Sequence, residues 1–538
     1  MSQARSNKFT VTAVAFFEGV ASRIEQYWFL ALFLLTLLYA GIVLRGSHAK
    51  FIDHDELFVY YIASAPSFHQ MMHEVLTIDL NPPLQYILTR ISVHLFGSGD
   101  LALRAPSIAG FFLAWLMLFL YTRRRFSTSW AVAAVLLFWS TEALPFAWEG
   151  RPYALLLGLA STLAFCWSFG TPAAPGEARR PLWVAPSIFI VGLGLFSTHM
   201  FAPFAFLPFL VAQGVRSYRT RKLDWPLLLA LMAPSVVFLV NMHLLKRIGN
   251  YVYPTAVLAK PVSAIRFYAS YAQSVSLDLA LLLLIALLWS STNRFPATAT
   301  DTASSRLPIE DWVLWLGLSL APIGVIAALM IESVSIGNRY LLIGTLGLSM
   351  TVIAILFRGV HGARTIAAMA ATAFLLALPL ALNRDAKDQT FDLRAGFIPL
   401  ATTVNLLEPN LNLPVVAAHA DTFIDINQRE EATFSSRVSF LMSRADAVQY
   451  RHLTLYEEEL NHVNGVFPLR DHVVNYQDFV AEHPRFILLS TPQTDPYDSM
   501  EWIVPKLLDE HATIRLLGPA TGSYMDSMLY EVTMPTQR

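Results

Sequence analysis

The segment QYWFLALFLLTLLYAGIVLR, Gln26–Arg45, is followed closely by Asp53-His54-Asp55-Glu56. Twenty apolar residues are enough for a helix to cross roughly 30 Å of hydrocarbon, so the acids emerge where the chain leaves the lipid. Charge at that depth calls for a reason, and the stretch from Asp53 to Pro83 reads as half of an active site. The basic residues Arg5, Lys8 and Arg23 ahead of the segment resemble a signal peptide. The apolar run is too long for one, however, and no small-residue cleavage site follows, so the expectation is a retained first span.

The whole composition agrees with a membrane protein. Of 538 residues, 55% are hydrophobic and only 14% charged, against about 25% charged in a soluble domain, and the mean hydropathy is +0.48. A formal net charge of -1 gives no global field that would attract nucleic acid. Cys166 is the one cysteine, so no disulfide forms within the chain; it reads as a small buried apolar residue.

Outward from the first span, Leu101 to Tyr121 is apolar and ends in Arg123-Arg124-Arg125. Further apolar stretches lie near 130–147, 152–170, 182–199, 200–215, 226–245, 275–291, 311–332, 338–357 and 365–382, about eleven spans in all. With residues 1–25 cytoplasmic, alternate loops are basic, as the positive-inside rule requires. The Asp53–Asp100 loop, the turn WEGRPY at 148–153, the loop from Lys246 to Ser274, and Asn338-Arg339-Tyr340 then share the outer face. Within the first outer loop (46–100), Pro66 is expected to split a helical run into two short helices lying along the membrane surface, and Pro82 to Phe96 to form an interfacial helix. From NRDAKDQTFD, 383–392, the composition turns mixed. The fold class is therefore a polytopic α-helical membrane domain over 26–382 and a soluble α/β domain, also outside, over 383–538, with strands near 415–417, 486–489, 514–517 and 528–532.

Asp55 and Glu56 are candidate catalytic acids: burial beside apolar side chains would raise a carboxyl pKa and make a general base near neutral pH. The alternative is that these acids cap the following helix. Asp53 with His54 leaves a divalent metal open, and no cofactor motif is present. Asp79 precedes Pro82-Pro83, a pair that fixes the backbone or merely stops a helix. Glu149 and Arg151 flank the start of a span, placed either to meet an anion or to pair with each other. Lys246, Arg247, Lys260, Arg266 and Arg339 are cations where the positive-inside rule predicts few. Interleaved with Tyr251, Tyr253, Tyr268, Tyr271 and Tyr340, they suit a lipid phosphate or plain headgroup contact. His199, at the end of a span, is either an interfacial histidine or a catalyst.

Taken together, Asp55-Glu56, the Asp79–Leu84 segment, Leu103-Arg104-Ala105-Pro106-Ser107, EGRPYAL at 149–155 and Asn338-Arg339-Tyr340-Leu341-Leu342 resemble the GT-C glycosyltransferases of the protein mannosyltransferase and aminoarabinose transferase superfamily, in the bacterial branch called family 39. The resemblance covers roughly residues 25 to 360, and the C-terminal domain lies outside it. It implies a bacterial inner-membrane enzyme that takes a sugar from a polyprenyl-phosphate donor at the outer, periplasmic face, with an aspartate of the first loop, here Asp55, as base. The acceptor, whether glycan, lipid or protein, is not implied. The family's stretch before the fourth span reads closer to R-E-A-R-P-Y; Trp148 and Gly150 depart from it, which removes one phosphate contact. On this reading Asp79 or Glu149 orients the acceptor or supports developing positive charge. Arg151, Arg266 and Arg339 hold the leaving phosphate, Lys246, Arg247 and Tyr340 assist, and Tyr153 and His199 stand nearby. The competing classes are a lipid-linked sugar flippase and a non-catalytic scaffold; the scarcity of acids within the spans favours the enzyme.

Overall fold

The computed structural model describes residues 2–79, 81–170, 181–248, 258–290, 307–333, 335–388, 394–395, 397–407, 412–491, 501–520, 524 and 527–535; side chains are described throughout except at 2–11, 13, 245–248, 285–290 and 384–388. Every apolar stretch of the sequence carries helix: α2 (Trp28–Ala49), α6 (Asp100–Arg125), α7 (Thr128–Trp139), α8 (Tyr153–Ser168), α9 (Val184–Phe196), α10 (Ala202–Thr220), α11 (Trp225–Met232), α12 (Ser235–Ile248), α13 (Pro261–Ser274), α14 (Ser276–Ser290), α15 (Ile309–Ile331), α16 (Ile343–Gly359) and α17 (Arg364–Asp388). Among the described residues five helical stretches are long and apolar enough to span, α11 and α12 together counting as one (Trp225–Leu244), and six if the 47° bend between α13 and α14 lies within one span. The helices α7, α8, α9 and α16 are apolar but shorter; in one case a turn interrupts the apolar run, since α7 stops at Trp139 and 144–148 form a 3-10 turn. Residues 2–26, expected only as a cytoplasmic tail, form α1 (Ser2–Gln26). Glu25 near its end accepts from the Thr128 and Ser129 amides at 3.0 and 2.8 Å, capping α7.

The helices α6 and α8 cross closely because Gly110 faces Gly158: a Cβ on Gly110 would stand 2.6 Å from Leu155 Cα. The first loop divides at Pro66 into α3 (His54–Ala63) and α4 (Phe68–Glu74), as expected, followed by a π-turn over Val75–Asp79 and α5 (Leu84–Phe96). Asp53 caps α3, its carboxylate accepting from the Glu56 amide at 2.9 Å. At the other end Arg90 donates to the Ala63 and Ala65 carbonyls at 2.9 and 2.6 Å, pinning that end of the helix.

The C-terminal domain holds α18 (Leu400–Leu407), β1 (Val415–Ala417), α19 (Ala420–Arg429), α20 (Ala432–Ser435), β2 (Val438–Met442), α21 (Arg444–Arg451), α22 (Leu455–Val463), β3 (His472–Asn475), α23 (Tyr476–Glu482), β4 (Arg485–Ser490), α24 (Ile503–Asp509), β5 (Thr513–Pro519) and β6 (Met528–Thr533). The sheet order is β3-β2-β1-β4-β6-β5; the first four strands are parallel and β6 and β5 antiparallel. β2 and β3 have no sequence counterpart in the expected strands. β1 and most of β4 are buried, as strands covered by helices on both faces are. Strand order reverses between β1 and β4, the switch point where such sheets bind ligands beyond the strands' carboxyl ends.

The first loop does not lie only on the membrane surface. Leu57, Phe58, Val59, Ile62 and Val75 share one buried core with Phe423, Phe467 and Leu489 of the C-terminal domain. Phe467 stacks edge-on against Phe58 at 5.4 Å, and Asn427 donates to the Tyr61 hydroxyl at 3.0 Å.

Candidate active site

The amino end of α3 is where the molecule concentrates charge. Asp55 forms an ion pair with Arg339 from the 3-10 turn Asn338–Leu341. Arg151, from the turn ahead of α8, has Nη2 4.0 Å from Asp55 and donates from Nη1 to the Asp55 carbonyl and to Asp79, each at 3.1 Å. Asp79 also accepts from the Tyr86 hydroxyl and from Asn81 at 3.1 Å. The sequence segments around 55, 79, 151 and 339 thus converge on one point. Arg151 and Arg339 each keep a buried Nε–H with no hydrogen-bond acceptor among the described residues.

Burial alone would raise the Asp55 pKa, as the sequence suggests. The guanidinium groups of Arg339 and Arg151 and the His54 imidazolium outweigh it and hold the carboxyl at about 2. The expected raised pKa is therefore corrected: with its arginines in place Asp55 is fully ionised and weakly basic. Burial also raises Asp53, but Lys50, 2.9 Å away, and His54 bring it below the usual carboxylate range.

Glu56 has a different duty from the catalytic one expected. It is wholly buried, receives Arg104 Nε and Nη2 at 2.8 and 2.7 Å, and accepts from the Gly150 amide at 2.6 Å. Arg104 donates onward to the Ser47 and Phe51 carbonyls, each at 2.7 Å. Fully buried and held by Arg104 and the Gly150 amide, Glu56 ties α3 to α6 and to the 148–153 turn. The sequence signal for this role of Arg104 is an arginine set in an apolar helix.

Glu149 is half-buried and makes no hydrogen bond or ion pair through its carboxylate among the described residues, so the local pair with Arg151 does not form. Burial pushes its carboxyl up to about 7, with Lys50 opposing and Asp53 and Glu56 adding to the rise. His199 is buried and, flanked by Arg151 and Arg339, falls to about 3; its Nδ1 accepts from the Phe201 amide at 3.1 Å, leaving Nε2 to carry the hydrogen. Its ring lies 5.3 Å from Tyr153 and 6.3 Å from Tyr340, forming an aromatic wall beside the arginines. Arg266 is exposed on α13 and has no contact with this cluster among the described residues, and Lys260 is the exposed residue just ahead of α13. The side chains of Lys246 and Arg247, and residues Tyr251 and Tyr253, lie outside the described residues.

The C-terminal domain reaches the same place, which the sequence did not indicate. His54 lies 3.5 Å from Asp421 at the start of α19 and 3.9 Å from Asp55. Behind Asp421, His419 bonds the Tyr456 hydroxyl at 3.1 Å. Glu459 on α22 is pushed up to about 8 by burial and by the charges of Asp421, Asp55 and Asp79. As for a metal at Asp53 and His54, no group of three or more ligating side chains forms among the described residues. Asp53 is engaged by Lys50 and by its own helix cap.

The basic runs that end α6 and α10 lie at the start of α15. Arg125 pairs with Asp311 at 2.7 Å and Arg219 with Glu310 at 2.7 Å, and Arg125 lies roughly 30 Å along α6 from Arg104 at 1.5 Å per residue.

Residues 80–243 match the family model described as dolichyl-phosphate-mannose-protein mannosyltransferase. The matched stretch contains Arg104, Glu149, Arg151, Tyr153 and His199, and it supports the GT-C glycosyltransferase resemblance read from the sequence. No curated protein matches the chain. Among solved structures the chain is similar to ArnT from Cupriavidus metallidurans bound to undecaprenyl phosphate, at 14% identity over 92% of this chain and 98% of that one, TM-score 0.46. It is also similar to the Archaeoglobus fulgidus oligosaccharyltransferase in complex with Zn and sulfate, at 12% identity over 88% of this chain and 69% of that one, TM-score 0.36.

Proposed function

We propose that this chain is a membrane glycosyltransferase that moves a sugar from a polyprenyl-phosphate donor to an acceptor hydroxyl, with Asp55 as general base. The reaction takes place at the outer membrane face, on the side of the first loop and the C-terminal domain. The observation that carries the reading is the convergence of Arg151 and Arg339 on Asp55, each with a buried Nε–H left over for an anion. A phosphodiester arriving there competes with Asp55 for both guanidinium groups. As they turn to the phosphate the influence that lowers the Asp55 pKa weakens, and burial makes the carboxylate more basic as the donor seats.

In the reaction the acceptor oxygen forms a bond to the anomeric carbon while the bond from that carbon to the phosphate oxygen breaks. The hydroxyl proton passes to Asp55, and polyprenyl phosphate leaves with its charge held by Arg151 and Arg339. One displacement inverts the anomeric configuration. Asp79 keeps Arg151 in place, and Glu149 is the carboxyl available to orient the acceptor. Tyr153, His199 and Tyr340 offer flat apolar faces to the sugar or to the first lipid unit.

Purified protein is assayed with a panel of polyprenyl-phosphate sugars for release of free lipid phosphate. Turnover of at least one is expected, abolished in Asp55→Asn with inserted, folded protein, and weakened at the level of donor binding in Arg339→Ala. Near-normal turnover by Asp55→Asn rejects the assigned base, and silence across the panel rejects the enzyme.

A further inference from the structure

The base of a transfer reaction must stay fixed after the donor has drawn its arginines away, and His54 is a further cation beside Asp55. It sits one residue ahead of Asp55 at the start of α3 and lies between two carboxylates, Asp55 at 3.9 Å and Asp421 at 3.5 Å. Asp421 comes from the first turn of α19, directly after β1. That is the carboxyl end of the strand bordering the β1/β4 switch point. The shared buried core of Phe58 and Ile62 on α3 with Phe423 and Ile424 on α19 holds the two elements against each other, so the contact is a fixed feature of the fold.

We infer that Asp421 and His54 form a positioning pair for Asp55, through which the C-terminal domain sets the orientation of the base. The inference rests on the glycosyltransferase reading and gives the C-terminal domain a part in that reaction. The groups facing His54 are Asp53 and Asp55 on its own element, Asp421 and Asp425 on α19, and Glu459 on α22. The guanidinium groups of Arg151 and Arg339 face Asp55 from the other side. Burial works against a charged imidazole, but Asp421 first, then Asp55, Asp425 and Asp53, hold it protonated up to about 9. The arginines are shared with the phosphate once the donor binds, whereas His54 and Asp421 are engaged with each other. The charged His54 therefore holds the Asp55 carboxylate in place, and Asp421 keeps His54 charged.

The test uses the full-length protein and two readouts. Histidine side-chain titration by NMR, with the His54 signal assigned by its loss in His54→Gln, is expected to give a midpoint near 9 in the unmodified chain. In Asp421→Asn that midpoint falls toward the ordinary value of about 6.5. In donor turnover, the alkaline limb of kcat moves to lower pH by about one unit or more in Asp421→Asn, and kcat at pH 8 falls about tenfold with little change in donor KM. Asp421→Glu, which keeps the charge, restores the limb. A His54 titration that Asp421→Asn leaves unmoved overturns the pair. A titration that moves while the kcat limb stays fixed overturns its role in positioning the base, with the glycosyltransferase reading intact. Absence of donor turnover in the unmodified chain overturns that reading, and the positioning role with it.

Discussion

At the scale of single residues, three neighbouring carboxylates have been sorted by their partners. Asp53 caps a helix and holds Lys50, Asp55 meets Arg339 and Arg151, and Glu56 is sealed by Arg104. Glu149 stands apart because burial acts on it without a hydrogen-bonded cation, raising its carboxyl to about 7. A folded-state pKa above the ordinary carboxylate value stabilises the protonated form. That contribution is fully present below about 4.5 and is lost as pH rises through 7. Glu149→Gln removes the cost of ionising a half-buried acid. It is expected to leave the melting temperature nearly unchanged at pH 5 and to raise it at pH 8, by on the order of 1–3 kcal/mol of stability. Thermal unfolding in detergent at the two pH values checks this, and an equal shift at both would show that the acid is already solvated. The carriers of the site were legible because Asp55, Glu149, Arg151 and Arg339 are charges beside apolar runs, where charge is costly. Their pairing was not legible. Whether burial or a nearby guanidinium governs Asp55 depends on residues nearly three hundred positions apart, and no local pattern carries that distance.

At the scale of elements, the helices of the membrane domain were visible as apolar runs, but where they end was not. Trp139 to Trp148 reads as a continuation of a span, yet the chain turns there to bring Gly150 and Arg151 to α3. The turn is held by Glu56 and by the approach of α8 to α6. That approach depends on Gly158, where an added Cβ would collide with the Gly110 carbonyl. Rigid backbone on the far side cannot yield as a flexible side chain would, so Gly158→Val must push the two helices apart. A loss of about 1–3 kcal/mol is expected from overpacking. Because α8 carries Tyr153 at its amino end and follows Arg151, a fall in donor affinity should accompany it. Thermal unfolding and donor binding on the same preparation measure both, and an unchanged melting point would mean the crossing is looser than the glycine contact implies.

At the scale of the whole molecule, the boundary near residue 383 is real as a change of composition but is not a boundary of packing. The sequence separates an α/β domain from a membrane domain because their residue types differ, whereas the first loop is chemically intermediate and joins the core of the domain far from it in sequence. Short helices such as α3 and α4 are marginal by themselves, since a helix under about 12 residues gains too little from its own hydrogen bonds. Their order must come from tertiary contact, part of it with Phe467, which packs on Phe58 at 5.4 Å and on Tyr61 at 5.0 Å. Phe467→Ala opens a cavity in this shared core and is expected to cost about 3–5 kcal/mol of local stability. The loss should register as faster hydrogen exchange across residues 54–79, with α6 and α8 little affected, and as reduced donor turnover because Asp55 is then less firmly held. If exchange in α3 stays as slow as in the unmodified chain, the first loop is ordered by the membrane domain alone, and the C-terminal domain is only attached to the site it now helps to build.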